Sequence, residues 1–155
     1  MDTKEFLPKD KRLRVGLVGF GKTGRAVASV LLTDKTINLV WVLRKSQNME
    51  HRSVPEFLGI DSDEDGEIHW IGDIDCESLL ESSPVDAIID FSSEEGMDYY
   101  GEAAAELGVT IVSAISQLPP ARIAKMHGYA QTTRVLWSPN ITLGINFMIV
   151  AAKTL

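Results

Sequence analysis

The sequence predicts an α/β fold with a doubly wound parallel sheet, in which helices cover both faces of the sheet. Short apolar runs alternate along the chain with segments of helical periodicity, the order that right-handed strand–helix–strand crossovers produce. Runs such as AIID and TIVSAI are almost continuously apolar, as expected of strands buried on both faces. The 155 residues suffice for one domain, or for a large part of a two-domain protein.

The predicted strands are short and apolar, and turn residues or polar clusters separate them. In chain order they are RVGLV, INLVWVL, IHWIG, VDAIIDFSS, VTIVSAI and TRVLWSP. Helices are predicted over RAVASVLLTD, DCESLLESSP, EEGMDYYGEAAAELG and LPPARIAKMHGYAQ, and GINFMIVAAKTL begins a further one. Pro84 should stop the second helix, Gly108 should cap the third, and Pro119 and Pro120 occupy permitted first-turn positions of the fourth.

The second strand is followed by a long polar excursion at 44–67, with one short helical turn predicted at VPEFLG. Its acidic run DSDEDGE lacks the ligand spacing and the terminal Glu of a calcium loop. We therefore expect a solvated acidic turn there, and no metal site.

Composition and charge narrow the class of protein. The net charge of −7 argues against binding to nucleic acid or to an anionic membrane, because both require a basic face. Cys76 is the single cysteine, which indicates a reduced thiol. The N-terminal segment lacks the apolar core of a signal peptide, and no stretch has the apolar length of a membrane span. These features predict a cytoplasmic protein.

The first crossover carries the segment GFGKTGR, directly after a predicted strand and before a predicted helix. At the carboxyl edge of a parallel sheet, a helix N-terminus offers free N–H groups and a partial positive charge to a phosphate. Glycines at this spacing allow a tight turn, close approach of a pyrophosphate and close helix packing, in that order. The predicted cofactor-binding residues here are Gly19, Phe20, Gly21, Lys22, Thr23 and Gly24. The alternative is a purely structural turn.

The end of the second strand indicates which dinucleotide binds. An NAD site usually places an acidic residue there to hold the ribose hydroxyls, but this strand ends in Arg44 and Lys45. Two cations attract a 2′-phosphate, which arginine can bind in a bidentate manner, and Lys22 adds a further cation. We therefore predict NADP(H) in preference to NAD(H). The alternative is a solvated end of a strand.

The fourth predicted strand ends at the same edge, with Phe91, Ser92 and Ser93 emerging beside the glycine turn. Small hydroxyls and backbone N–H groups at this position can face the adenine-side ribose and the phosphates. The alternative, which is compatible with the first, is helix capping by Ser92 or Ser93 with Glu95 as the capping-box partner.

The segments GFGKTGR, VDAIIDFSSEEG and SPNITLGIN together resemble the dihydrodipicolinate reductase family, also called 4-hydroxy-tetrahydrodipicolinate reductase, of diaminopimelate and lysine biosynthesis. The resemblance spans nearly the whole chain, and PNITLGIN is its most specific part. It implies a Rossmann-type NAD(P)-binding domain and hydride transfer to a cyclic imine dicarboxylate. It also implies that the backbone around Ser138, Pro139 and Asn140 lines the nicotinamide pocket, with a hinge from Asn140 to Asn146.

This chain departs from the family after the fifth strand. Where the family has a Gly-Thr-Thr-Gly turn, the sequence has Ser113, Ala114, Ile115 and Ser116. By the resemblance, Ser113 and Ala114 are cofactor contacts. The missing glycines would narrow the nicotinamide half of the pocket, since glycine lets the backbone approach a ligand closely.

The resemblance also implies a domain organisation. We expect a flexible tail at 1–12, with a docked arm as the alternative, a dinucleotide-binding domain at 13–140, and a hinge with the first helix of a substrate domain at 141–155. In the family the substrate domain carries a His-His-x-x-Lys motif and a Ser-Gly-Thr turn, and it is absent from these residues.

No catalytic residue is expected within this chain. His51, His69 and His127 stand in no such motif and are interpreted as ordinary surface or hydrogen-bonded histidines. We therefore predict a member of an oxidoreductase family that has no turnover by itself. The alternatives are a non-catalytic NADP-binding module, or the cofactor domain of a related amino-acid dehydrogenase. The apolar C-terminal segment predicts a homodimer, because it is too apolar for an isolated helix in water.

Overall fold

A computed structural model describes residues 8–47, 51–141 and 143–154 of the chain. Its sheet has parallel strands in the order β3-β2-β1-β4-β5-β6, which confirms the doubly wound fold. The strands are β1 Leu13–Val18, β2 Ile37–Arg44, β3 Glu67–Trp70, β4 Ala87–Asp90, β5 Thr110–Ser113 and β6 Val135–Trp137. The helices are α1 Lys22–Thr33, α2 Val54–Leu58, α3 Cys76–Ser82, α4 Gly96–Glu106, α5 Pro120–Tyr129 and α6 Leu143–Thr154. Each predicted strand and helix is thus present.

Two apolar clusters, one on each face of the sheet, form the core. One joins the sheet to α3 and α4 through residues such as Leu79 and Met97, and the other joins it to α1 through residues such as Leu31. In the first cluster, Trp41 lies fully buried beside Gly16, where an added Cβ would come within 2.2 Å of the indole ring. Gly16 therefore leaves space in the central strand for the largest side chain of the core.

The ends of the helices follow the sequence signals. Gly108 follows α4 with φ +70, the left-handed conformation that glycine adopts without strain. Helix α3 ends at Ser82, two residues before Pro84, and Pro119 is the N-cap of α5. Pro120 is the first residue of α5, so the predictions for Gly108, Pro84 and Pro120 are confirmed, whereas Pro119 lies just before the first turn.

The prediction of a solvated acidic turn in the excursion is confirmed for Asp61, Asp63 and Asp65, whose side chains are exposed, but it is wrong for Glu64. The guanidinium of Arg12 is buried and donates hydrogen bonds to Asp63, at 3.1 Å, and to Glu64, whose side chain is only 1% exposed. The turn also holds the chain just before β1 by charge-assisted hydrogen bonds. Arg12 belongs to the segment predicted as a tail at 1–12. Residues 1–7 lie outside the described residues, and the tail boundary stays a prediction.

Helix α6 is strongly apolar and partly exposed. The side chains of Met148 and Val150 leave 70% and 61% of their surface exposed. Within the described part of the chain, no helix combines the length and the apolar character needed to cross a membrane.

Candidate functional site

A cavity of about 690 Å³ opens at the carboxyl edge of the sheet, where β1, β2 and β4 end. The glycine turn after β1, the cationic end of β2 and the loop between β4 and α4 surround it. Its lining consists of Val18, Gly19, Phe20, Gly21, Arg25, Leu43, Arg44, Lys45, Ser46, Ile71, Phe91, Ser92, Ser93, Glu95, Gly96 and Tyr99. Three segments that are distant in sequence but were predicted to share this edge are therefore neighbours.

The three glycines of the turn have different surroundings. Gly19 has φ +97, and an added Cβ would lie 2.7 Å from the backbone of Phe91 and Ser92. At Gly24 an added Cβ would lie 1.9 Å from the carbonyl oxygen of Gly19, so helix α1 touches the turn itself. Around Gly21 no atom lies within 4 Å of an added Cβ. The turn is therefore closed on two sides and open at Gly21, where it faces the cavity.

Gly21 is also the N-cap of helix α1, and no side chain caps this helix in the described structure. The first N–H groups of a helix have no partner within the helix, and together with the helix dipole they favour an anion. The open face of Gly21 thus combines space with positive electrostatic potential.

The loop after β4 is fixed from below by Asp90, whose side chain is fully buried. Asp90 accepts hydrogen bonds from the backbone N–H of Ser92 at 2.8 Å, from the hydroxyl of Ser92 at 2.6 Å and from the hydroxyl of Tyr100 at 2.7 Å. Burial raises the pKa of the Asp90 carboxyl, although these three hydrogen bonds lower it in part. The hydroxyl proton and the N–H of Ser92 are directed at Asp90, so they do not face the cavity.

The alternative role of this loop in helix capping is wrong. Helix α4 begins at Gly96 with Glu95 as the N-cap, and no side chain makes a capping hydrogen bond there. Asp90 competes successfully for the hydroxyl of Ser92, because a buried carboxylate needs donors more than an exposed helix end does.

The cationic end of β2 has defined partners. Arg44 donates a hydrogen bond to the hydroxyl of Ser46 at 2.8 Å. The ammonium of Lys45 lies 2.8 Å from the carboxylate of Glu95, and the indole N–H of Trp70 donates to the carbonyl of Lys45 at 2.8 Å. Both cations therefore stand at the cavity, and an acidic side chain from the β4–α4 loop reaches one of them.

Sequence reasoning missed one cation and one aromatic contact. Arg25, one turn into α1, lines the cavity, and its guanidinium lies 5.2 Å from the ring centroid of Phe57 in α2. Phe57 in turn packs edge-on against Phe20 at 5.1 Å. Arg25 was visible as the last residue of GFGKTGR, whereas the return of the excursion to the glycine turn gave no signal in the sequence.

The geometry agrees with a comparison of the sequence with known families. The family described as "Dihydrodipicolinate reductase, N-terminus" matches residues 13–141. The chain belongs to this family. Its members are oxidoreductases, and the match covers every strand of the sheet.

Individual relatives carry the name 4-hydroxy-tetrahydrodipicolinate reductase. The protein of Wolbachia pipientis wMel is 25% identical over 146 residues, which are 92% of this chain and 51% of that relative. The protein of Ralstonia nicotianae is 35% identical over 77 residues, which are 47% of this chain and 29% of that relative. The chain therefore spans about half of these relatives, or less.

Solved structures share the fold. Dipicolinate-bound dihydrodipicolinate reductase from Paenisporosarcina sp. TG-14 aligns with a TM-score of 0.69 at 16% identity, over 92% of this chain and 53% of that one. Scyllo-inositol dehydrogenase from Lactobacillus casei with bound NAD(H) and scyllo-inositol aligns with a TM-score of 0.63 at 19% identity, over 83% of this chain and 36% of that one. The Rex-family repressor RSP, solved with β-NADH, aligns with a TM-score of 0.57 at 14% identity, over 94% of this chain and 61% of that one.

The other predicted contacts lie outside the lining of the cavity. Within the glycine segment these are Lys22, Thr23 and Gly24, and at the other end of the sheet edge they are Ser113, Ala114, Ser138, Pro139 and Asn140. The second group is nevertheless continuous with the loop after β4, since the N–H of Ala114 donates to the carbonyl of Asp90 at 2.9 Å. The N–H of Ser138 likewise donates to the carbonyl of Ser113 at 3.0 Å. The cavity itself thus spans only the end of the sheet edge formed by β1, β2 and β4.

Proposed function

We propose that this chain is the NADP(H)-binding part of a reductase of the dihydrodipicolinate reductase family. The observation that carries the proposal is the open face of Gly21 in a cavity that also holds Arg44 and Lys45. A pyrophosphate fits the first feature and a ribose 2′-phosphate fits the second, and a dinucleotide phosphorylated at the 2′ position carries both groups.

Each group of the cavity has a role in this proposal. The backbone of Gly19 to Gly21 and the N-terminus of α1 bind the pyrophosphate, and Arg25 adds a positive charge beside it. Arg44 and Lys45 bind the 2′-phosphate, while Phe91 and Ser93 contact the adenosine from the loop after β4. Two predicted contacts, Lys22 and Thr23, are the first residues of α1 and do not line the cavity. They would therefore bind only through their backbone N–H groups.

The nicotinamide half would extend along the sheet edge past β4, over Ser113, Ala114, Ser138, Pro139 and Asn140. The hydrogen bonds that join these segments to Asp90 and to each other support a rigid platform there. The bound cofactor would supply a hydride to a cyclic imine dicarboxylate. The protein's part would be orientation of the nicotinamide and exclusion of water from one side of it.

The groups that bind and protonate the imine would lie outside these residues, so we propose that the chain by itself has no turnover. The proposal is tested by titrating the protein with NADPH and NADH in parallel, for wild type and Arg44→Ala. We expect the wild type to bind NADPH more tightly than NADH. The substitution should lower the affinity for NADPH by about tenfold and change the affinity for NADH by less than about twofold. Equal affinity of the wild type for both nucleotides, or turnover of the imine by this chain, would overturn the corresponding part of the proposal.

We also propose that the protein forms a homodimer through α6. Support comes from the exposure of Met148 and Val150 on a helix whose composition is mostly apolar. Analytical ultracentrifugation should show a dimer, and Met148→Glu with Val150→Glu should shift it to the monomer. A wild-type monomer at high concentration would contradict this assignment.

A cytoplasmic location is proposed as well. Its support is that Cys76, the single cysteine of the chain, is a free buried thiol, as is typical of proteins in a reducing compartment. Fractionation of cells that express the protein tests the location, which recovery from any other fraction would exclude.

A further inference from the structure

The most informative contact outside the expected pattern is the ion pair between Lys45 and Glu95. Lys45 follows β2, and Glu95 lies in the loop between β4 and α4. In the sheet, β1 lies between β2 and β4. The side chains reach across the cavity mouth, with 2.8 Å between Nζ and Oε2, and both belong to the lining. Both remain largely exposed, at 82% and 63% of their side-chain surface, so a ligand can reach them directly.

Glu95 is ionised at neutral pH. The hydrogen bond from Lys45 lowers the pKa of the Glu95 carboxyl, and the charge of Arg122 adds to this effect while that of Asp98 opposes it. Arg122 itself is occupied by Asp98 at 2.6 Å and by Glu94 at 3.4 Å. Lys45 is therefore the cation in hydrogen-bond contact with Glu95.

This placement changes the electrostatics of the cationic end. In a site that selects NAD(H), a carboxylate at the end of the second strand accepts the ribose hydroxyls and repels a 2′-phosphate. Here the second strand ends in cations, but Glu95 brings a carboxylate to the same place from the loop after β4. A 2′-phosphate carries about −1.5 to −2 charges, so it cannot approach Lys45 without displacing or facing that carboxylate.

We propose that Glu95 is a specificity-determining residue, which competes with the ribose 2′-phosphate for the ammonium of Lys45 and so restrains the preference for NADP(H). The inference rests on the proposed nucleotide site. Arg44, which donates a hydrogen bond to the hydroxyl of Ser46, also lines the cavity and contributes a second positive charge, so the preference is reduced without being reversed.

The test uses adenosine 2′,5′-bisphosphate and adenosine 5′-monophosphate, which differ only in the 2′-phosphate and do not engage the nicotinamide half. The ratio of their dissociation constants is measured by calorimetry for wild type, Glu95→Gln and Glu94→Gln. Glu94→Gln is the matched control, because it removes the same charge from the adjacent residue, which pairs with Arg122 and lies outside the cavity lining.

Glu95→Gln should favour the bisphosphate by roughly two- to fivefold in this ratio, the range expected for an exposed pair of charges, and the control should change the ratio by less than about 1.5-fold. The gain should shrink at about 1 M salt, where exposed charges are screened. It should also shrink in a Lys45→Gln background, where the carboxylate has no ammonium to occupy.

The outcomes separate the two proposals. An unchanged ratio in Glu95→Gln, while wild type binds the bisphosphate, overturns the role of Glu95 and leaves the nucleotide site standing. An equal gain in Glu94→Gln also overturns it, because the effect would then be one of net charge. If wild type binds neither probe, the nucleotide site and the inference both fail.

Discussion

Two glycines of the same turn should respond differently to the same substitution. Gly24→Ala places a Cβ 1.9 Å from the carbonyl oxygen of Gly19, and Gly19 cannot recede because it abuts the backbone of Phe91 and Ser92. Overpacking of this kind costs about 1–3 kcal/mol or more, against a gain of about 1 kcal/mol in helix propensity. Because the contact is backbone to backbone, we take the upper end and expect a net loss of about 2 kcal/mol.

Gly21→Ala meets no atom within 4 Å, and its φ of −79 is accessible to alanine. Its cost in stability is limited to the poorer N-cap, about 0.5–1 kcal/mol. The new methyl group, however, enters the face where a pyrophosphate would contact the backbone. We therefore expect the affinity for NADPH to fall at least tenfold, about 1.4 kcal/mol.

The assay combines thermal unfolding with a calorimetric titration of each variant. Gly24→Ala should lower the melting temperature by roughly 4–8 °C, and Gly21→Ala by no more than about 4 °C. The reasoning is refuted if Gly21→Ala binds NADPH as the wild type does, or if Gly24→Ala is as stable as the wild type.

Three further predictions concern groups around the site. Since burial raises the pKa of Asp90, the folded protein holds the carboxyl proton more tightly than the unfolded chain does. Relative to Asp90→Asn, the free energy of unfolding of wild type should therefore fall as pH rises from below 3.8 through the folded-state pKa. A difference between the two proteins that does not depend on pH would contradict this. Arg12→Ala leaves the buried carboxylate of Glu64 without its cation and should lower the melting temperature more than Arg12→Lys does, with equal values as the contrary result. Trp70→Phe removes the indole hydrogen bond to the backbone of Lys45 and should lower the affinity for adenosine 2′,5′-bisphosphate by about threefold in calorimetry. Trp137→Phe, which removes an indole hydrogen bond to the carbonyl of Ile115 after β5, should leave this affinity unchanged.

The sequence was sufficient to predict the strands, their parallel orientation in the sheet and the position of the glycine turn. These features depend on local periodicity and on the crossover rule, which operate on neighbouring segments. The meeting of the glycine turn, Arg44 and the loop at Phe91 followed from the same rule, since the carboxyl ends of parallel strands share one edge.

Contacts between distant segments were beyond this kind of reasoning. Arg12 and Glu64 are 52 positions apart and Lys45 and Glu95 are 50 apart, and no periodicity links them. The direction of the Ser92 hydroxyl was missed for the same reason, because it depends on how deeply the adjacent carboxylate is buried. Side-chain partnership of this kind is decided by packing, after the backbone has been placed.

The most direct test of the central claim is a calorimetric titration of the wild-type protein with NADPH, together with its melting temperature with and without the nucleotide. If the glycine turn and the cationic end of β2 form a nucleotide site, NADPH should bind with measurable heat, more tightly than NADH, and should raise the melting temperature. Absence of both heat and thermal protection, with circular dichroism showing an intact α/β fold, would contradict the claim.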